Sequence, residues 1–581
     1  MINLPRFPGG GHTHPAEVIA GIKPADLAGL KIVFINMPLR ETAVPNTTPE
    51  GPLLMATNLR KNYGVYATVI DLNAYRIKDE LAQNKGLTHG RHLTPEETFE
   101  LIQKHFLVHG EPDVVALSGM ITTLRWQEAV TKMIRTILPD VFLVSGGGLA
   151  TELKAGLFNY ISGLDAVAHS EGDDVVVKIC FDAQLIKRKG FNGALLAGNL
   201  EPYYLGYTKG RHRLMYAGDR PRDLDSLPFA DLDLLAEDVN GHKILDYYLG
   251  NDVWGIGANN SSATPFQMTR STTSVSSRGC PFACQYCYRG AQGERKWGVR
   301  SAEHIYKEML HHQEKYGIDF KGFPDDNFAV TIGRIVDLVP LLGPLGIRWG
   351  THTRLDEAAG LKPISSRPGE YVFEDPHRIE LMAKAGCVYI GFGPESANKE
   401  VLEAIGKGGH TLTNGFVPKV VNGKTYNFAR SMIVGIENCL RFGIHSNCTW
   451  IMALPTENLE RLKESVAFIK WHEDLYIQNG LPTDSVNKKM FTLTWYPGTE
   501  IIRHTKVRQE LTRVFGVTFN ERLEPICDEK FYKYLIELDD ATKVLYGNND
   551  EPLNFGDMPM DQFLQAREYV DSDQIFKILE M

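Results

Sequence analysis

The chain has 581 residues, too many for one domain, so two to four are expected. Hydrophobic residues make up 43% and charged residues 23%, which suits large cores in an ordinary soluble protein. A net charge of −9 argues against an electrostatic nucleic-acid footprint, and eight cysteines in this length exclude a disulfide scaffold. No run of about eighteen apolar residues occurs, so no membrane span is expected. The most apolar stretch, 332–347, is broken by Arg334, Asp337 and two prolines. The first thirty residues lack a charged start followed by an apolar core, so no secretory signal is expected.

Residues 1–25 read as an extended lead-in rich in Gly, His and Pro. Apolar runs at 31–36, 66–71, 112–118, 141–145 and 166–168 then read as buried parallel strands, with helical patterns between them at 51–61 and 126–138. This alternation predicts a doubly wound, Rossmann-like α/β domain with ligand loops at the strand C-termini. Those loops are 38–51, 118–123, 146–151 and 170–172, and glycines within them allow close approach of backbone to a ligand. The alternative is an ordinary doubly wound domain whose glycines serve only turns. Residues 201–265 show no sustained period and read as a linker.

Cys280, Cys284 and Cys287 follow at spacing C-x-x-x-C-x-x-C. Three thiolates on one short loop suit three irons of a cubane 4Fe–4S cluster and leave the fourth iron open. Gly279 and Pro281 keep the loop tight. A zinc knuckle would bring a second C-x-x-C or C/H pair, and none exists here. The other cysteines (Cys180, Cys387, Cys439, Cys448 and Cys527) are scattered and read as small core residues. An oxygen-sensitive cluster implies a reducing, cytoplasmic compartment.

Beyond this loop, helices at 302–316, 335–342, 378–385 and 432–442 alternate with strands at 320–328, 347–354, 388–396 and 447–455. Repeated strand–helix units predict a partial (β/α) barrel over 266–490, with its chemistry at the strand C-termini. An insertion at 406–429 interrupts the rhythm. Residues 491–581 read as a mainly helical C-terminal domain that packs or caps the core.

The run "RGCPFACQYC" at 278–287 resembles the cluster loop of the radical S-adenosylmethionine (SAM) enzymes, and the aromatic Tyr286 fits that family. Ahead of it, "PEGPLLMATNLRKNYGVYATVIDLN", "LSGMITT", "VSGGGLATE" and "HSEGDD" look like the cobalamin-binding domain that precedes many radical SAM cores. Residues 223–229 resemble the connector between the two. The domain order implied is a cobalamin domain over 1–200, a linker, and the radical SAM core. No D-x-H-x-x-G motif supplies a cobalt-ligating histidine; Asp375 and His377 give only an imitation, far outside this domain. Cobalamin-binding radical SAM enzymes commonly lack that histidine.

The resemblance implies roles residue by residue. Cys280, Cys284 and Cys287 would hold the cluster. Tyr286 would help seat adenine, and Asp325, Asp326 and Asn327 would lie near the SAM amino group. Arg354 would pair the SAM carboxylate, and Glu395 and Ser396 of a "G-x-E-S" strand would reach ribose. Pro38, Gly51, Ser118, Gly119, Thr122, Gly146, Gly147, Glu171 and Gly172 would face cobalamin. "ALPTEN" at 453–458 departs from the family's "GLPGE", so no contact is assigned there, and no residue is given a catalytic role.

The activity implied is methylation of an unactivated carbon or phosphorus centre on a small molecule or peptide. It uses the 4Fe–4S cluster, SAM and cobalamin, with a flavodoxin- or ferredoxin-type donor. Three alternatives stand beside it: an oxidative cyclase or rearrangement enzyme without methyl transfer, a methylthiotransferase, and a non-catalytic iron–sulfur or corrinoid carrier. The absence of cysteine from residues 1–179 counts against the methylthiotransferase, which carries a second cluster there. The polar strand ends count against the carrier.

Overall fold

A computed structural model describes residues 13–39, 45, 47–83, 91–250, 268–288, 297–364, 370–538, 544–547 and 549–581, the side chains of 79–83 excepted. The chain divides into two compact units. The first comprises Met1–Tyr248 with Pro525–Asp540, and the second Leu249–Arg289, Glu294–Glu524 and Ala541–Met581. No helix among the described residues is long and apolar enough to cross a membrane.

The first unit is built on strands β1 (Lys31–Asn36), β2 (Tyr66–Asp71), β3 (Val114–Ser118), β4 (Phe142–Gly146), β5 (Ala166–His169), β6 (Tyr204–Thr208) and β7 (Arg211–Ala217). They lie in the order β2-β1-β3-β4-β5-β7-β6. All neighbours are parallel except the β6–β7 hairpin. Five of six β1 residues are buried, as expected where helices cover both faces of a parallel sheet. The chain reverses its direction of winding between β1 and β3, and ligands of such sheets bind at this switch point, beyond the strand C-termini. The helix Pro95–His109 starts on a capping box between Thr94 and Glu97.

Two expectations need correction. Residues 204–217, read as linker, form a hairpin that extends the sheet beside β5. Its turn residues Lys209 and Gly210 both have positive φ, the geometry of a tight two-residue turn. Residues 251–265 of the same stretch lie outside the described residues. The C-terminal piece is not one separate body, because 525–540 joins the first unit. There the hydroxyl of Tyr160 donates to Asp528 O (3.0 Å) and that of Tyr532 to Glu128 Oε2 (2.7 Å).

The second unit contains β8 (Ser271–Thr273), β9 (Ser277–Arg278), β10 (Gly298–Val299), β11 (Phe320–Phe323), β12 (Arg348–Thr353), β13 (Leu361–Pro363), β14 (Tyr371–Phe373), β15 (Cys387–Glu395), β16 (Phe416–Val421), β17 (Lys424–Ala429), β18 (His445–Met452) and β19 (Met490–Thr492). Six of them form one parallel sheet in the order β8-β11-β12-β15-β18-β19. Strands added in chain order with helices between them are the partial barrel that the alternation predicts. The ends of this sheet, β8 and β19, do not pair. The helix Ala302–Tyr316 starts at the Ser301 cap and stops at Gly317, whose φ is +68°. Phe328 packs on Trp349 (5.0 Å between rings), whose indole donates to Ala385 O (2.7 Å). The insertion at 406–429 is a short helix, Gly408–Thr411, followed by the β16–β17 hairpin.

Candidate cluster and cofactor sites

The three cysteines lie on the loop that leaves β9, beyond the C-terminal end of β8. β9 pairs with β10, and Gly279 then turns the chain at φ +82°. None of the eight cysteines is in a disulfide; Cys284 is buried, Cys280 and Cys287 half-buried. Burial pushes the Cys280 thiol up, and burial followed by the neighbouring Cys284 pushes Cys287 up to about 12. These thiols resist ionisation until a cation arrives, which fits metal-coupled deprotonation. Among the described residues no three His, Cys, Asp or Glu side chains converge to hold a single ion. A cubane spreads its three thiolates over separate irons, so the loop fits a cluster and not a zinc knuckle.

Fixed partners hold the loop at its start and in its middle. Asp325 Oδ1 accepts from Ser276 N (2.7 Å), and its Oδ2 accepts from the hydroxyls of Ser276 (2.6 Å) and Ser277. Arg334 lies 3.6 Å from the same carboxylate. Asp326 Oδ2 accepts from Gly279 N (3.2 Å). In the middle of the loop, Gln285 N donates to Ile405 O (2.9 Å), Ile501 N donates to Gln285 O (2.7 Å), and His504 Nε2 lies 2.9 Å from Gln285 Oε1. Asp325 and Asp326, expected near the SAM amino group, are thus engaged with the loop itself. Asn327 Nδ2 donates to Glu357 Oε1 (3.0 Å), and the Thr353 hydroxyl lies 2.9 Å from Asn327 Oδ1.

Arg354 follows β12 and is buried. Its Nε and Nη2 donate to the two oxygens of Asp356 (2.9 and 2.6 Å), its Nη1 lies 3.7 Å from Cys284 Sγ, and its guanidinium sits 4.1 Å from the centre of the Phe282 ring. Burial alone would disfavour its charge, but Asp356 outweighs that and holds it protonated.

Tyr286 and Glu395 do come together. The phenol donates to Glu395 Oε1 (2.8 Å), and Lys407 Nζ lies 3.1 Å from the phenol and 3.6 Å from that carboxylate. Desolvation, then the Glu395 charge, raise the phenol far above its ordinary value and keep it a donor. Glu395 ends β15 at φ +66°, a strained conformation for a residue with a side chain. Ser396 is not brought to this group. It is fully buried, 3.3 Å from the Ser465 hydroxyl, and accepts from Asn398 N (3.2 Å) ahead of the helix Lys399–Ala404. Ser396 thus supports the turn into that helix, whose cap is Asn398, a use the sequence pattern does not distinguish from a ligand contact.

Sequence reasoning missed Asp356, Lys407, Arg334 and His504. Asp356 sits two residues after Arg354, a spacing that could have been read as an anchored pair. The others arrive from distant segments and leave no local signal. Glu457, left unassigned, is fully buried. It accepts from Ala453 N (2.7 Å) at the end of β18, where Ala453 and Thr456 both have positive φ.

In the first unit the loops after β1, β3, β4 and β5 lie at one edge of the sheet. Met37 N donates to Ser118 O (2.9 Å), and Leu149 N to Gly119 O (3.3 Å). Gly147 has φ +82°, and a Cβ there would come within 2.7 Å of Gly119 O; one on Gly119 would meet Thr123 Oγ1 at 2.2 Å. Gly172 is equally tight against Met55 Sδ. Gly147 therefore lets the loop after β4 pack on the loop after β3, while Gly119 makes room for Thr123 and Gly172 for Met55 of the helix Glu50–Tyr63. Gly51 has nothing within 4 Å, and Gly146 only ordinary contacts. Glu171 lies 3.8 Å from Arg220 Nε. Pro38 is buried, and Ser118 and Thr122 half-buried, on the same edge; residues 40–44 and 46 of the first loop lie outside the described residues. Gly119 and Gly147 thus keep the loops after β3 and β4 close together beside the switch point, beyond the strand C-termini where ligands of such sheets bind.

Residues 274–469 match the model of the radical SAM superfamily. An uncharacterized methyltransferase of Pyrococcus horikoshii is 24% identical over 482 residues, 81% of this chain and 82% of that protein. Among solved structures, the radical SAM methyltransferase TsrM of Kitasatospora setae matches with a TM-score of 0.55 at 14% identity, over 94% of this chain and 88% of that one. It has been solved with tryptophan and a SAM analogue, and separately with cobalamin and a 4Fe–4S cluster. The cobalamin-dependent SAM radical enzyme OxsB, solved with cobalamin and SAM, matches with a TM-score of 0.58 at 14% identity, over 88% of this chain and 66% of that one. Cysteine loop, parallel partial barrel and doubly wound sheet thus occur together in a chain that carries a radical SAM domain over residues 274–469 and shares its fold with TsrM and OxsB.

Proposed function

We propose that the protein is a cobalamin-dependent radical SAM methyltransferase acting on an unactivated carbon or phosphorus centre of a small molecule or peptide. One observation carries this reading. A C-x-x-x-C-x-x-C loop beyond the C-terminal end of β8 in a parallel partial barrel shares its chain with a doubly wound sheet whose switch point lies between β1 and β3. When bound, the three cofactors supply an electron, radical cleavage of SAM and a transferable methyl group.

The chain's own residues hold and orient. Cys280, Cys284 and Cys287 take three irons; Asp325, Asp326 and Gln285 fix the loop that bears them. Glu395 is aimed by Tyr286 and Lys407, with its second oxygen available to a sugar hydroxyl of SAM. The residues flanking Gly119, Gly147 and Gly172 would hold the corrinoid. A flavodoxin- or ferredoxin-type protein of the cytoplasm supplies electrons, and the acidic net charge disfavours a nucleic-acid substrate.

The test uses SAM with a deuterated methyl group and anaerobically reconstituted enzyme. Product gains the labelled methyl, and both 5′-deoxyadenosine and S-adenosylhomocysteine form. Substrate consumption with 5′-deoxyadenosine but no methyl gain would assign the chain to oxidative cyclases or rearrangement enzymes instead.

A further inference from the structure

Arg354 occupies an unusual position for a residue meant to receive a carboxylate. A guanidinium recognises carboxylate through a two-donor edge. Here the Nε–Nη2 edge is already bidentate on Asp356, at 2.9 and 2.6 Å. Nη2 also lies 3.4 Å from Thr411 Oγ1 of the insertion. The Phe282 ring, within the cysteine loop, covers one face of the plane at 4.1 Å. The remaining terminal nitrogen, Nη1, is directed at Cys284 Sγ at 3.7 Å. The side chains of Arg354 and Asp356 are only 9% and 8% exposed, so water screens this charge little.

The pair is neutral in sum but oriented, its positive end on the sulfur and its negative end behind. Adding an electron to a cluster adds negative charge that spreads onto its sulfurs. Hydrogen bonds to those sulfurs and nearby charge are what set cluster potentials.

We propose that Arg354 is a positioning residue of the cluster and not of the SAM carboxylate: anchored by Asp356, it holds a buried N–H donor and positive charge on the Cys284 thiolate and raises the cluster's reduction potential. The inference rests on the cluster assignment above. It differs from the role that the family resemblance gives this residue.

The experiment compares wild type, R354K and the double variant R354Q/D356N, each reconstituted anaerobically, with iron counted first. The double variant removes the charge and the guanidinium fork without leaving an unpaired buried carboxylate. Midpoint potentials are then taken by EPR-monitored titration in the absence of SAM, and SAM affinity is measured separately. The double variant should retain iron and become harder to reduce by at least tenfold in the reduction equilibrium, 59 mV for one electron. R354K, which keeps charge but loses the fork, should fall between. An unchanged potential in the double variant, with SAM affinity lost, would overturn the proposal and restore the carboxylate role. If the double variant holds no iron, R354K decides: a wild-type potential there refutes the proposal. A wild type that assembles no cluster would instead remove the reading on which the inference rests.

Discussion

Glu457 is a fully buried carboxyl just beyond β18. Burial pushes its carboxyl up to about 8, against backbone hydrogen bonds that pull the other way, and its Oε1 has no hydrogen-bond partner. An unfolded glutamate titrates near 4.3. Between the two values the folded chain keeps a proton that the unfolded chain releases, so this group's stabilisation is full below about pH 4 and is lost as pH rises towards 8. E457Q retains an oxygen for Ala453 N and removes the titration. Thermal unfolding at pH 5, 6.5 and 8 should show the wild type losing stability relative to E457Q by about 1–3 kcal/mol across that range; parallel profiles would contradict this. The cysteines give a simpler test. The C280A/C284A/C287A variant should hold almost no iron after reconstitution, against about four irons per chain in wild type. Retained iron would remove the cluster from this loop. The cysteines were legible in the sequence because a whole ligand set sits on eight consecutive residues. Arg354 was legible as a charge but its contacts were not, because they are decided by Asp356 beside it and by Phe282, Cys284 and Thr411, which come from elsewhere.

At the scale of elements, the long buried strands were readable because each is a short apolar run between helical patterns. The hairpins were not, although their turns carried a signal. Asn422 and Gly423 between β16 and β17 both have positive φ, as do Lys209 and Gly210 between β6 and β7. Asn-Gly between strand-like runs is a strong mark of such a turn. The flanking strands are short and mix buried, half-buried and exposed positions, so no apolar run drew attention to them. The glycines of the first unit separate in the same way. G147A places a Cβ 2.7 Å from a backbone carbonyl in left-handed backbone and should cost about 2–4 kcal/mol. G51A, with open space in the first turn of the helix Glu50–Tyr63, should cost nothing or stabilise by up to about 1 kcal/mol. Urea unfolding of the two variants checks the contrast. Equal effects would mean that Gly147 is not held in the geometry described.

For the molecule as a whole, the first unit should bind corrinoid with no nitrogen ligand from the protein, since no D-x-H-x-x-G motif is present. Purification with hydroxocobalamin should give one corrinoid per chain by absorbance. EPR of the reduced cofactor in protein labelled with ¹⁵N-histidine should show no coupling to the label. A histidine coupling would refute the assignment, and turnover by a chain that never retains corrinoid would refute the cobalamin reading altogether.

The division of the C-terminal piece also bears on how the protein is made. The helix Glu529–Ile536, with the Tyr532–Glu128 and Tyr160–Asp528 hydrogen bonds it brings, belongs to a unit whose other described residues end at Tyr248. Residues 249–524 are synthesised in between. At 5–20 residues per second that interval lasts roughly 14–55 s. Through it, the nascent first unit waits with Tyr160 and Glu128 uncovered, and it is completed only once residues 525–540 have followed.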